Sequence, residues 1–238
     1  MPRANRFFIP GTVWHITHRC HDRKFLLKFD KDRRRWKYWL FQSKKRYGLS
    51  ILNYIATSNH IHLLVVAHEG TAIAAALQLV AGRTAQEYNQ RKGRKGAFWE
   101  DRYFATAICT DSHLARCLVY IDLNMVRAGA VSHPSQWHVC GYNEIQNTPQ
   151  RYRIIDRAAA CELFEQSSWR HFQLSHQNWV QAALEQGIPR REPTWTEPIA
   201  VGPRQFVAHI KSLLGSRAYH RTEESVSGQS FVLKDGRA

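Results

Sequence analysis

Residues 49–67, LSILNYIATSNHIHLLVVA, hold two apolar, β-rich runs separated only by the polar pair Ser58-Asn59. Runs that short, broken by turn residues, form two neighbouring strands rather than one helix. Side chains alternate along a strand, so His60 and His62 share one face while Ile61 and Leu63 take the other. Two imidazoles brought to one spot on a rigid base make a candidate metal chelate. The plainer alternative is a half-buried strand that merely carries two histidines.

The rest of the first 130 residues extends this hairpin into a regular order. TVWHITHR (12–19) is β-branched and aromatic and reads as a strand. Residues 30–47 read as a helix with Trp36, Trp39, Leu40, Ser43 and Tyr47 along one side and Arg and Lys on the rest. After the hairpin, Ile73, Leu77, Val80, Thr84 and Tyr88 recur at helical spacing over 72–89. QRKGRKG (90–96) is a basic, glycine-rich loop, and RYFATAICT (102–110) is a fourth strand. DSHLARCLVYIDLNMVRAG (111–129) is a third helix, capped by Asp111 or Ser112 and stopped at Gly129. The order β-α-β-β-α-β predicts an α+β protein with a ferredoxin-like (split βαβ) antiparallel sheet and one added helix. NTPQRYR reads as a joint, followed by helices at 156–166, 168–186 and 203–215 and a polar tail expected to be loose until bound. The chain is thus divided into residues 1–147 and a helical C-terminal extension, 148–238, ending in a flexible tail.

Charge selects the partner. Lys and Arg number 34 against 19 Asp and Glu, a formal net charge of +15, which favours polyanions and nucleic acid first among them. The excess recurs in blocks, so Arg33, Arg34, Arg35, Lys44, Lys45 and Arg46 on the first helix and Arg91, Lys92, Arg94 and Lys95 in the loop are candidate phosphate contacts. No run nears the roughly 18 apolar residues of a membrane span, so no membrane partner is expected. The five cysteines show no C-x-x-C spacing, and neither a disulfide framework nor a zinc ribbon is indicated. The basic start MPRANRFFIPG has no apolar core of a signal peptide, so a cytoplasmic location is expected.

At 100° per residue the third helix separates two stripes: Leu114, Leu118, Ile121 and Met125 are apolar, while His113, Arg116, Tyr120, Asn124 and Arg127 are polar. A hydroxyl, an amide oxygen and two guanidiniums on one line suit phosphodiester chemistry. Taken alone, the stripe has a plainer reading, in which Tyr120 flanks the core and Asn124 is solvated.

NHIHLL and YIDLNMVRAGAV, with FWEDRYFA between them, resemble the single-tyrosine transposases of the HUH type, specifically the REP-associated tyrosine transposase branch. The likeness runs from about residue 7 to 145, and GPRQFVAHIKSLLG is similar to the helical extension of that branch. The resemblance implies that His60 and His62 bind a divalent metal with Asn124 as third ligand, and that Tyr120 attacks a phosphate of single-stranded DNA. Met125 stands where the family's NPVRAG has proline, which lets the helix run on past Asn124 without a kink; Ser58 stands where proline often precedes Asn-His. Imidazoles alone would suit Zn or Fe, phosphate and amide oxygens Mg or Mn, and the resemblance selects Mg or Mn.

The expectation is an enzyme that cuts single-stranded DNA beside a hairpin through a 5′-phosphotyrosine and rejoins it, with a monomer favoured over a homodimer. The rival is a domesticated DNA- or RNA-binding module on the same fold, without chemistry; a water-using metal hydrolase is a third. Trp99 and Arg102 are candidates to stack on or pair with unpaired bases, core packing being the equal alternative for Trp99. Glu100 and Asp101 are candidate spare ligands or bases. His15, His18 and His21, spaced by three, cannot share a strand face, so no second metal cluster is expected; the resemblance nevertheless brings His15 toward the first.

Overall fold

The computed structural model describes residues 8–66, 68–147, 149–188, 192–227 and 230–235. The strands of the first half are β1 (Val13–Arg19), β2 (Ser50–Ala56), β3 (His60–Val66) and β4 (Phe104–Ile108), with helices α1 (Asp30–Tyr47) and α2 (Ala72–Lys92) between them. They lie in the order β2-β3-β1-β4, all antiparallel, as the split βαβ pattern requires. Helices α1 and α2 pack together on one face, where Trp36 meets Tyr54 of β2. The other face receives α3 (Ser112–Asp122), which meets the sheet at Asn53.

Helix ends follow local chemistry. Gly48 and Gly93 adopt left-handed φ of 62° and 58° and close α1 and α2 with backbone bonds to Lys44 and Asn89, a conformation that favours glycine. Helix α2 therefore runs three residues past the expected end at 89, and Arg91 and Lys92 form its last turn, where cations suit the helix dipole.

The expected continuous helix through 129 is broken. α3 ends at Asp122, Leu123 has φ −81° and ψ 5°, and a short α4 (Asn124–Arg127) follows, despite the absence of proline. At this turn the Leu123 amide keeps its bond to the Val119 carbonyl at 3.0 Å and Arg127 Nη1 donates to the Tyr120 carbonyl at 3.3 Å, while the Asn53 amide donates to the Leu118 carbonyl at 3.1 Å and to Asp122 Oδ1 at 3.0 Å. Asp122 Oδ2 accepts from His176 Nε2 at 2.7 Å, and His176 Nδ1 accepts from Gln146 at 2.9 Å. These link β2 and α3 to α5 (Gly141–Gln146) and α7 (Trp169–Gln186) through a buried polar chain. Gly141 is required there, since a Cβ would sit 2.0 Å from Asn53 Oδ1.

After 147 the helices form close to where the sequence places them: α6 (Arg157–Leu163) and α7 are capped by Asp156 and Ser168, and α8 is Arg204–Leu214. The expected loose tail is instead strand. β5 (Ala200–Gly202) pairs parallel with β4, β7 (Ser230–Asp235) pairs with β5, and β6 (Arg221–Ser227) forms the edge, extending the sheet to seven strands. Composition misled because β6 has almost nothing apolar. It is held by the ladder and by ion pairs, Arg221–Asp235 at 3.0 Å and Lys234–Glu224 at 3.3 Å. Among the described residues no helix is long and apolar enough to cross a membrane.

His176→Ala should cost about 3 kcal/mol, because it strips the buried Asp122 carboxylate of one of its two side-chain partners. Urea denaturation of the variant would measure it; a loss under about 0.5 kcal/mol would show that the polar chain does not hold α7 to α3.

Candidate active site

A four-residue turn sets His60. The Thr57 amide donates to the His60 carbonyl at 2.9 Å, and Thr57 Oγ1 accepts from the His60 amide at 3.0 Å. His60 Nδ1 lies 2.8 Å from Asn59 Oδ1. An amide oxygen can only accept, so Nδ1 carries the proton and Nε2 presents a lone pair.

His62 is fixed by a longer relay. The Trp195 carbonyl lies 2.7 Å from His15 Nδ1, so His15 is protonated there and accepts at Nε2. The group that donates to it, at 2.8 Å, is His62 Nδ1, which leaves His62 Nε2 bare as well. Burial pushes His15 and His60 down to about 4, and burial followed by the neighbouring His60, His15 and arginine charges holds His62 well below the usual imidazole range. All three rings are neutral at neutral pH, the state a metal ligand requires.

Both bare nitrogens face Asn124 at the start of α4. Its amide lies 2.9 Å from His62 Nε2 and also hydrogen-bonds His60. Half a turn of that amide exchanges Nδ2 for Oδ1 at the same point, which makes the set two imidazole nitrogens and one amide oxygen. Among the described residues no three His, Cys, Asp or Glu side chains gather as a metal site; the group here is of a different, uncharged composition, and its fixed lone pairs fit a divalent cation. Tyr120, one turn earlier on α3, presents its ring edge-on to His62 and His15 at 5.7 and 5.9 Å between centroids. Arg127 covers the same ring at 4.4 Å. Burial pushes the phenol up to about 12, and the Arg127 charge works against that rise.

These groups line a cleft of about 450 Å³ together with Thr17, Arg19, Arg102, Glu192 and Glu197. Arg19 escaped the sequence reading although the signal was there: it stands opposite His60 in the β1–β3 register, on the face of His15 and Thr17. Glu192, which pairs with Arg127 at 2.9 Å and accepts from the Trp195 indole at 3.0 Å, had no such signal. Glu100 and Asp101 also reach the cleft.

Of the five-residue polar stripe, Tyr120, Asn124 and Arg127 reach the cleft. Arg116 instead lies 5.7 Å from the Trp195 ring, and His113 is buried against Asp111 and Ser230. The basic residues divide. Arg33 is turned into the protein, donating to the Leu27 and Lys28 carbonyls and lying 4.4 Å over Trp137. Arg35 pairs with Glu87, Arg91 with Asp32, and Arg34 with Asp30. Arg94 donates to Asn89 and the Ala97 carbonyl. Lys92, Lys95 and Arg102 are exposed at the His60 end of the sheet, whereas Lys45, Arg46 and the half-buried Lys44 sit at the far end of α1, roughly 25 Å along the helix. Trp99 stacks on His18 at 4.2 Å and donates to the Ala81 carbonyl, so it is committed to packing.

Nitrogen-15 spectra of the imidazoles should show His60 and His62 as Nδ1-protonated tautomers. His15→Phe, which keeps a planar ring but removes both ring nitrogens, should leave His62 as a tautomer mixture and weaken divalent-ion binding about 10- to 100-fold by calorimetry. An unchanged His62 spectrum in that variant would mean the relay does not set the tautomer.

Residues 10–124 match the family model described as IS200-like transposase. A structure of the REP-associated tyrosine transposase bound to a REP hairpin matches at 18% identity with a TM-score of 0.51, covering 66% of this chain and 94% of that one. A Deinococcus radiodurans protein assigned as a candidate transposase matches at 17% identity with a TM-score of 0.35, over 43% of this chain and 83% of its own, too slight a likeness to bear on the fold. No curated protein matches the sequence. The matched segment contains His60, His62 and Tyr120 and ends at Asn124: residues 10–124 are similar to IS200-like transposases, and the chain has the fold seen in the REP-associated tyrosine transposase.

Proposed function

We propose that this protein cleaves and rejoins single-stranded DNA through a covalent bond to Tyr120, beside a hairpin of the kind bound by its structural relative. The observation that carries the reading is the convergence, within one cleft and one chain, of a tyrosine ring with two imidazole lone pairs and an amide. Because a single chain supplies every group, a monomer suffices.

Arg19, Arg102 and Arg127 draw the phosphate in and balance its charge, while Glu192 holds Arg127 against Tyr120. The phenol oxygen forms a bond to phosphorus as its proton leaves. The bond from phosphorus to the 3′-oxygen breaks, and that oxygen takes a proton. The product is a 5′-phosphotyrosine and a free 3′-hydroxyl, and attack by another 3′-hydroxyl reverses the step with no outside energy source. His60, His62 and Asn124 would hold Mg or Mn, which when bound supplies positive charge at the phosphate oxygens. Neutral ligands leave that full charge for the substrate.

Tyr120→Phe keeps the ring and its packing, so stability and DNA affinity should hold while a denaturant-resistant protein–DNA adduct, formed by the wild type with Mn or Mg, disappears. Persistence of the adduct would assign the nucleophile to another tyrosine. A wild type that cuts without an adduct would instead be a hydrolase using water. His60→Ala or His62→Ala should abolish cleavage at nearly unchanged hairpin affinity, since binding rests on basic side chains; Asn124→Ala should weaken metal dependence less completely. Cleavage by His60→Ala at the wild-type rate would reduce the histidine pair to a packing feature.

Neutralising Lys92, Lys95 and Arg102 should flatten the salt dependence of single-strand binding by about 0.7 log units per log unit of salt for each lost phosphate contact. An unchanged slope would take these residues off the binding surface.

A further inference from the structure

The loop that joins β1 to α1 reverses the usual order of burial. In KFLLKF (24–29), Leu26 and Leu27 are 8% and 0% exposed, while the larger Phe25 and Phe29 are 65% and 53% exposed. Burying an aromatic ring is favourable, so two rings facing water four residues apart are not explained by the fold. Among the described residues neither ring packs against another aromatic side chain; Phe29 has the Lys92 ammonium 5.4 Å from its centre. Arg23, Lys24, Lys28 and Lys92 are exposed around them, with Asp22 opposing through its 3.0 Å pair to Lys24.

The loop is also held rigidly beside the catalytic turn. The Cys20 amide donates to the Asn59 carbonyl at 2.7 Å, the Leu27 amide to the Ser58 carbonyl at 2.9 Å, and Asn59 Nδ2 to the Arg23 carbonyl at 3.1 Å. Asn59 is the residue whose Oδ1 orients His60, so one side chain serves both the loop and the site. Asp22 and Arg23 adopt left-handed φ of 52° and 56°, uncommon for non-glycine residues and maintained here by those bonds.

Exposed aromatic faces interleaved with cations are what an unpaired nucleic acid strand recognises: the rings take the base faces and the cations the phosphates. Trp99 is committed to His18 and leaves that role open at this end of the sheet. We propose that Phe25 and Phe29 form a stacking platform for unpaired bases of the DNA strand that leads into the cleft. This rests on the reading of the chain as a single-strand transposase.

The test measures binding of the full-length protein to a short labelled oligothymidine and to an abasic strand of equal length. Both rings are exposed, so the double variant Phe25→Ala/Phe29→Ala should keep its thermal midpoint. It should bind oligothymidine roughly tenfold or more weakly, bind the abasic strand as the wild type does, and keep the same salt slope. The double Phe→Trp variant should restore binding. Unchanged affinity for oligothymidine, or an equal loss on both strands, would overturn the platform. The wild-type adduct assay separates the two readings: an adduct with no effect of the phenylalanines sinks the platform alone, ring-dependent binding without an adduct sinks the cleavage reading alone, and a wild type with neither sinks both.

Discussion

The buried Asp122 carboxylate governs how helix α3 sits. At 1% exposure it cannot turn to water, and its side-chain partners are Asn53 on the sheet and His176 on α7. Locking one residue of a helix fixes its rotation. Tyr120 lies two residues back, about 200° round the axis, and so faces away from Asp122 toward the strand that carries His62. Beyond Leu123, Asn124 starts its own turn with its amide at the two imidazoles. The aspartate touches nothing in the cleft, yet it holds the helix that carries Tyr120. Hydrophobic packing alone would leave the rotation of α3 less defined, because its apolar stripe spans a broad arc.

The C-terminal extension is structurally part of the cleft. Thr106 and His15 stand side by side on β4 and β1, and both hold the 195–198 segment: Thr106 Oγ1 donates to the Pro198 carbonyl at 2.7 Å, and His15 Nδ1 to that of Trp195. Glu192, three residues before Trp195, meets Arg127. The IS200-like match ends at residue 124, so it stops short of the wall that Glu192 and Glu197 add to the cleft.

What the sequence could disclose depended on where each cause lay. The order of elements was legible because strand alternation and helical spacing are local, as were His60 and His62 on one face. The helix break at Leu123 was not, because no proline or glycine marks it in the sequence. Arg33 looked like any other cation in KDRRRWKYW, yet its neighbours in space draw its guanidinium inward. The resemblance brought His15 toward the site, but its acceptor is a main-chain carbonyl 180 residues on, and every residue has one of those. Strand β6 was missed because a polar edge draws its stability from ladder and ion pairs rather than from apolar pattern.

The parallel pairing of β4 with β5 has a consequence for synthesis. A chain emerging from the ribosome completes β1 to β4 while the partner of β4 is still some ninety residues from being made, a delay on the order of 5–20 s at ordinary elongation rates. During that interval the outer edge of β4 stays open, and the carbonyl that orients His15 does not yet exist. A nascent or truncated chain therefore holds His62 without the relay that fixes its tautomer. The groups that gather in the cleft are thus among the last parts of the chain to become ordered.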